Sequence, residues 1–103
     1  MTDLDYIRQH TPTTEQLALL AEECCELAQA ALKMRRTIDP DGSPTAVSYT
    51  EAHALFHEET ADVMLCLEVF GEYTKGDVGG MGSVADIMRR KLKRWVKRGE
   101  SFF

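Results

Sequence analysis

Residues 13–36, TTEQLALLAEECCELAQAALKMRR, place Leu17, Leu20, Cys24, Leu27, Ala31 and Met34 at alternating steps of three and four. Side chains at that period return to one side of an α-helix, so the stretch predicts a long helix. Thr11 or Thr13 suits its N-cap with Pro12 in the first turn, and Arg35 and Arg36 suit the negative end of the helix dipole. The next residues, TIDPDGSPTAVS, read as a loop that is long for a bundle connection. A second helix is expected from Ser48 or Thr50 to about Tyr73, opened by the capping-box spacing Ser48-x-x-Glu51. After a break at Gly76, Gly79, Gly80 and Gly82, Ser83-x-x-Asp86 opens a third helix, SVADIMRRKLKRWVKR, with Gly99 as its stop. Residues 3–10 are expected to add a short helical turn. No segment carries a strand pattern, so the expected fold class is all-α, a bundle with three main helices per chain.

At 103 residues the chain has the size of one domain, and 1–103 is read as a single unit. The 28% charged residues and the net charge of −5 argue against disorder and against general nucleic-acid coating. No basic-then-apolar segment precedes Pro12 and no apolar run has membrane length, so neither a signal peptide nor membrane association is expected, and the expected location is the cytoplasm. Cys24, Cys25 and Cys66 form no Cys-x-x-Cys pair and read as reduced core residues.

Carboxylates stand where these helices are most apolar. On a wheel of about 100° per residue, Ala52, Leu55, Val63, Cys66 and Phe70 fall within roughly 40° of Glu59. Asp62 follows three residues on, beside it. Helix one repeats the step, with Glu23 among Leu19, Leu27, Ala30 and Met34 and with Glu26 following. Two inward pairs of like charge on facing helices would destabilise each other with nothing between them. A hard divalent cation, Mg²⁺ or Mn²⁺, removes that conflict, because such ions prefer carboxylate oxygens.

The strings EECCE at 22–26 and EETAD at 58–62 resemble the EExxE…ExxD signature of the MazG-like, all-α nucleoside triphosphate pyrophosphohydrolases. The likeness extends from Leu17 to about Arg98. It implies a helical bundle with a four-helix unit, Mg²⁺ on the two motifs, and water attack on the α-phosphorus giving a nucleoside monophosphate and pyrophosphate. By this resemblance Glu23, Glu26, Glu59 and Asp62 are metal ligands, and Glu22 is a further acidic residue orienting water or metal. The expected catalytic group is therefore Glu22, Glu23 and Glu59. Two departures stand out. The segment DPDGSPTAVSY is longer than in compact members, and in the Lys-x-x-x-Asn-x-x-Arg pattern of the last helix Lys91 and Arg98 match while Trp95 replaces Asn.

A triphosphate brings about four negative charges that metal and cationic side chains must offset. Lys91, Arg94 and Arg98 share one face of the last helix and are candidate phosphate contacts, while Trp95, Tyr6, Tyr49 and Tyr73 are candidate base-stacking residues with Trp95 foremost. His53 and His57 stand away from Glu59 and read as surface histidines. Nucleotide-pool sanitation is the expected role. The competing reading is a non-enzymatic module that docks its basic last helix, which holds seven of the twelve Lys and Arg residues, on nucleic acid or an acidic partner. A di-iron bundle ranks last, because neither helix pairs a Glu with a His three residues later. Helix one is apolar around more than half its circumference, which predicts a homo-oligomer, dimer or tetramer.

Overall fold

The computed structural model describes residues 1–39, 47–71 and 73–102, with side chains described up to Gly99. The proline-glycine part of the expected loop, at 40–46, lies outside the described residues. Four helices follow one another: α1 Asp3–His10, α2 Thr13–Ile38, α3 Tyr49–Val69 and α4 Val84–Phe102. There is no strand among the described residues, so the chain is all-α as expected. It forms two compact units, Met1–Phe70 and Gly71–Phe103.

In the first unit α2 packs along α3, and α1 touches α3. Leu20 rests on the buried cluster of Cys66, Val69 and Phe70, together with Leu4 from α1. Farther along α2, Glu23 and Glu26 meet Glu59 and Asp62, so the two helices run antiparallel. The most buried positions of the pair are alanines, Ala30 at 2% and Ala52 at 1% exposure, and so small a side chain lets two helix backbones approach closely. The buried or half-buried stripe of α2 is Gln16, Leu20, Glu23, Leu27, Ala30 and Met34. Leu17, Cys24 and Ala31 from the predicted stripe are exposed, and Cys25 is exposed too, so of the three cysteines only Cys66 belongs to the core.

The short segment at 3–10 is a full helix. Thr2 caps it, with its hydroxyl accepting from the Asp5 amide while the Asp5 carboxylate accepts from the Thr2 amide. Its Arg8 fixes where α3 ends, donating from Nε to the Val69 carbonyl at 3.0 Å and from Nη2 to the Glu68 carbonyl at 2.7 Å. The last carbonyls of a helix have no partner inside it, and the guanidinium supplies one. α3 therefore stops at Val69, four residues before the predicted end, with Phe70 buried and Gly71 poorly suited to continue. Gln16, buried in α2, likewise donates from Nε2 to the Thr11 carbonyl at 2.6 Å, tying the α1–α2 corner. Pro12, expected in the first turn, instead occupies the N-cap position of α2 in place of Thr11 or Thr13, and no side-chain cap bond forms there.

In the second unit the expected capping box opens α4. Ser83 Oγ accepts from the Asp86 amide at 3.2 Å, and Asp86 Oδ2 accepts from the Ser83 amide at 3.1 Å. Those bonds hold the Asp86 carboxyl below its ordinary range, with Arg89 helping. Gly82 enters this turn at φ 88°, and a Cβ there would stand 3.1 Å from that of Asp86, so any other residue would be strained. α4 then runs through Gly99 rather than stopping at it, since a single helical glycine costs only about 1 kcal/mol and no proline follows.

Candidate metal centre

The paired carboxylates converge. Each of Glu23, Glu26, Glu59 and Asp62 offers one oxygen, and the four oxygens lie within 4.8 Å of one another. No other group of three or more His, Cys, Asp or Glu side chains converges in this way among the described residues. The local reason is the three-residue step on each helix, which sets Glu23 above Glu26 and Glu59 above Asp62 on neighbouring turns. Antiparallel packing then brings the two ladders face to face.

Glu23 and Glu59 are half-buried, and the Oε2 atom of each is shut off from solvent with no hydrogen-bond partner. Glu26 is exposed. Burial raises the pKa of Glu23, followed by the charges of Glu26 and Asp62, a hydrogen bond with Glu26, and Glu59. Burial is also the first cause of the raised pKa at Glu59, followed by the charge of Glu26, a hydrogen bond with it, and then Asp62 and Glu58. The Cys66 thiol is pushed up by burial and then by Glu23, Asp62 and Cys24, which sets it beside the cluster.

This donor set suits a hard cation. Opposite ligands of one Mg²⁺ ion span roughly 4.2 Å, twice the usual Mg–O length, so the 4.8 Å limit on these four oxygens exceeds one coordination shell by about 0.6 Å. A cation would also partner the two orphaned Oε2 atoms, whose burial without one is costly.

Glu22 is exposed and stands outside the cluster. Lys91, Arg94, Trp95 and Arg98 lie on α4 in the second unit, all exposed, with Trp95 at 64%. Lys91 and Trp95 border an open, largely apolar concavity of about 490 Å³ with Met88 and Leu92, whereas Arg94 and Arg98 do not line it. Of the other aromatic candidates, Tyr6 stacks on His10 with ring centroids 4.0 Å apart, and Tyr49 tilts against His53 at 5.4 Å. Charge divides between the units: residues 1–70 hold 13 acidic and 4 basic side chains, and residues 71–103 hold 4 acidic and 8 basic. No helix among the described residues is long and apolar enough to cross a membrane. No known family model matches the chain, and neither a curated protein nor a solved structure matches it significantly.

Proposed function

We propose that the chain is a metal-dependent nucleoside triphosphate pyrophosphohydrolase of the MazG-like type, acting in nucleotide-pool sanitation, with Mg²⁺ or Mn²⁺ held by Glu23, Glu26, Glu59 and Asp62. One observation carries the reading: the convergence of these four carboxylates with two buried oxygens left without partners. A bound divalent ion supplies positive charge to phosphate oxygens and lowers the pKa of coordinated water. Water attacks the α-phosphorus, the α–β bridging bond breaks, and pyrophosphate leaves with the electron pair. Glu23 and Glu59 present half-buried carboxylates between α2 and α3, and the exposed Glu22 is suited to accept the proton lost by water. On α4, Lys91, Arg94 and Arg98 offer cationic charge to phosphates, and Trp95 offers a face on which a base can stack. Each is a proposed substrate contact.

The exposed apolar residues of the first unit, among them Leu32, Met64 and Leu65, support assembly as a homo-oligomer that completes a four-helix unit. The cytoplasm is the setting in which such a substrate is met. A second reading rests on α4 alone: a basic helix with Met88, Leu92 and Trp95 exposed can dock on an acidic partner without any reaction.

The deciding experiment is pyrophosphate release from a panel of nucleoside triphosphates with Mg²⁺ or Mn²⁺, run beside Glu59→Gln and Glu26→Gln. Metal-dependent pyrophosphate formation that falls at least about 100-fold in both variants is expected. Folded wild-type protein that binds Mn²⁺ yet releases neither pyrophosphate nor orthophosphate from any nucleotide would overturn the enzyme reading in favour of the docking module.

A further inference from the structure

On α3, His53 and His57 are four residues apart and therefore on neighbouring turns of one face. Their Nε2 atoms stand 3.0 Å apart, with ring centroids at 4.6 Å and planes inclined at 69°. In this contact one Nε2–H donates to the lone pair of the other ring, so the two Nε2 atoms are already held side by side. His53 is half-buried against the tilted ring of Tyr49, which limits its rotation, while His57 is exposed and open to solvent. Neither ring belongs to the carboxylate cluster.

We propose that His53 and His57 form a second, independent metal site: a bidentate imidazole chelate for a borderline divalent transition-metal ion, with solvent filling the remaining positions. Two nitrogens at about 2.05 Å from one ion and 3.0 Å from each other subtend about 94° at the ion. That is close to the right angle between adjacent ligands of a square-planar or octahedral ion, and short of the tetrahedral angle, which would need the nitrogens about 3.4 Å apart. The spacing thus favours Cu²⁺ and Ni²⁺ over Zn²⁺. On binding, the ring that donates from Nε2 changes tautomer, giving its Nε2 proton to solvent and taking one up at Nδ1, so that both neutral rings carry Nδ1–H and both Nε2 lone pairs face the ion. The two sites divide ions by chemistry: hard Mg²⁺ or Mn²⁺ to the carboxylates, borderline ions to the imidazoles. Since the chelate spans one turn in the first half of α3, the bound ion also acts as a clasp on that helix.

The probe is Ni²⁺, titrated into the full-length chain under excess Mg²⁺ and followed by calorimetry and by paramagnetic broadening of amide signals. One Ni²⁺ per chain is expected, with broadening centred on residues 53–57. His57→Asn and His53→Asn should each weaken binding at least about tenfold, while His10→Asn and the pair Cys24→Ser, Cys25→Ser leave it unchanged. Cu²⁺ should bind more tightly than Ni²⁺, and Zn²⁺ should not exceed Cu²⁺. Circular dichroism of His57→Asn distinguishes a lost ligand from a lost helix. Unchanged Ni²⁺ affinity in a folded His57→Asn protein, broadening centred elsewhere, or the absence of saturable binding below millimolar Ni²⁺ would overturn the site, whatever the outcome of the nucleotide assays.

Discussion

Glu23 on α2 and Glu59 on α3 each turn one carboxylate oxygen, Oε2, into the interface between the helices, and neither oxygen has a hydrogen-bond partner. The fold thus carries a concentrated negative charge in its own packing, which a cation relieves. Mn²⁺ should therefore raise the melting temperature of the wild-type chain and EDTA should lower it. At a hundredfold excess over Kd the linkage gives about 2.7 kcal/mol, or roughly 10 °C or more for a domain of this size. Glu59→Gln should reverse the pattern, melting above metal-free wild type and gaining little from Mn²⁺. Melts of both proteins with and without Mn²⁺ check this, and an equal gain in the variant would contradict it.

The same carboxylates set a pH dependence of known sign. Glu23 and Glu59 have folded-state values raised above the ordinary 4.5, so each binds its proton more tightly in the folded chain. Their stabilising effect is complete below that value and is lost as pH rises through the raised values. Asp86 behaves oppositely: its value is depressed below 3.8 by its bonds with Ser83, so the stability it gives α4 is present above 3.8 and lost as pH falls through the lowered value. Urea titrations of metal-free protein should show a Glu59→Gln effect that grows from pH 4 to pH 7. Helicity lost only well below pH 4 should be sensitive to Ser83→Ala. A Glu59→Gln effect independent of pH would contradict the first assignment.

Much of this was legible in the sequence, and the exceptions have physical causes. The convergence of the two carboxylate pairs could be read because a three-residue step inside an apolar stripe leaves little freedom about where the side chains go, although Glu26 stays exposed rather than inward. Which stripe of α2 is buried could not, since that helix is apolar around most of its circumference. The actual stripe includes Gln16, which hydropathy discounts, and leaves out Leu17, Leu19 and Cys24. Arg8 and Gln16 gave no signal because their partners are backbone carbonyls, at Glu68, Val69 and Thr11, and a backbone carbonyl leaves no trace in residue type. For the same reason the end of α3 was placed too late.

Ala30 and Ala52 are the most buried positions of α2 and α3, and their small side chains suit a close approach of the two helices. Ala52→Leu should cost about 1–3 kcal/mol through overpacking. By forcing the helices apart it should also separate the two carboxylate pairs, weakening Mn²⁺ binding although no ligand has changed. Calorimetric Mn²⁺ titration of Ala52→Leu beside Ala54→Leu, at an exposed position of the same helix, separates the effects. Equal Mn²⁺ affinity in the two variants would show that the cluster does not depend on this packing.

Among the described residues the first unit keeps few apolar side chains from water, Ala30, Ala52, Cys66, Val69 and Phe70 being the buried ones. Meanwhile Leu32, Met64 and Leu65 remain 58%, 65% and 55% exposed on its two long helices. Burying a leucine fully is worth about 1.5–3 kcal/mol, so covering such residues in an assembly favours association. Wild-type protein should therefore scatter light as a dimer or tetramer at micromolar concentration. Leu65→Glu would place a charge in that interface and should shift the population towards monomer while the helical signal persists. Because the carboxylate cluster lies wholly between α2 and α3 of one chain, such a monomer should still bind Mn²⁺. A wild-type chain that is monomeric under these conditions would leave the exposed leucines without this explanation.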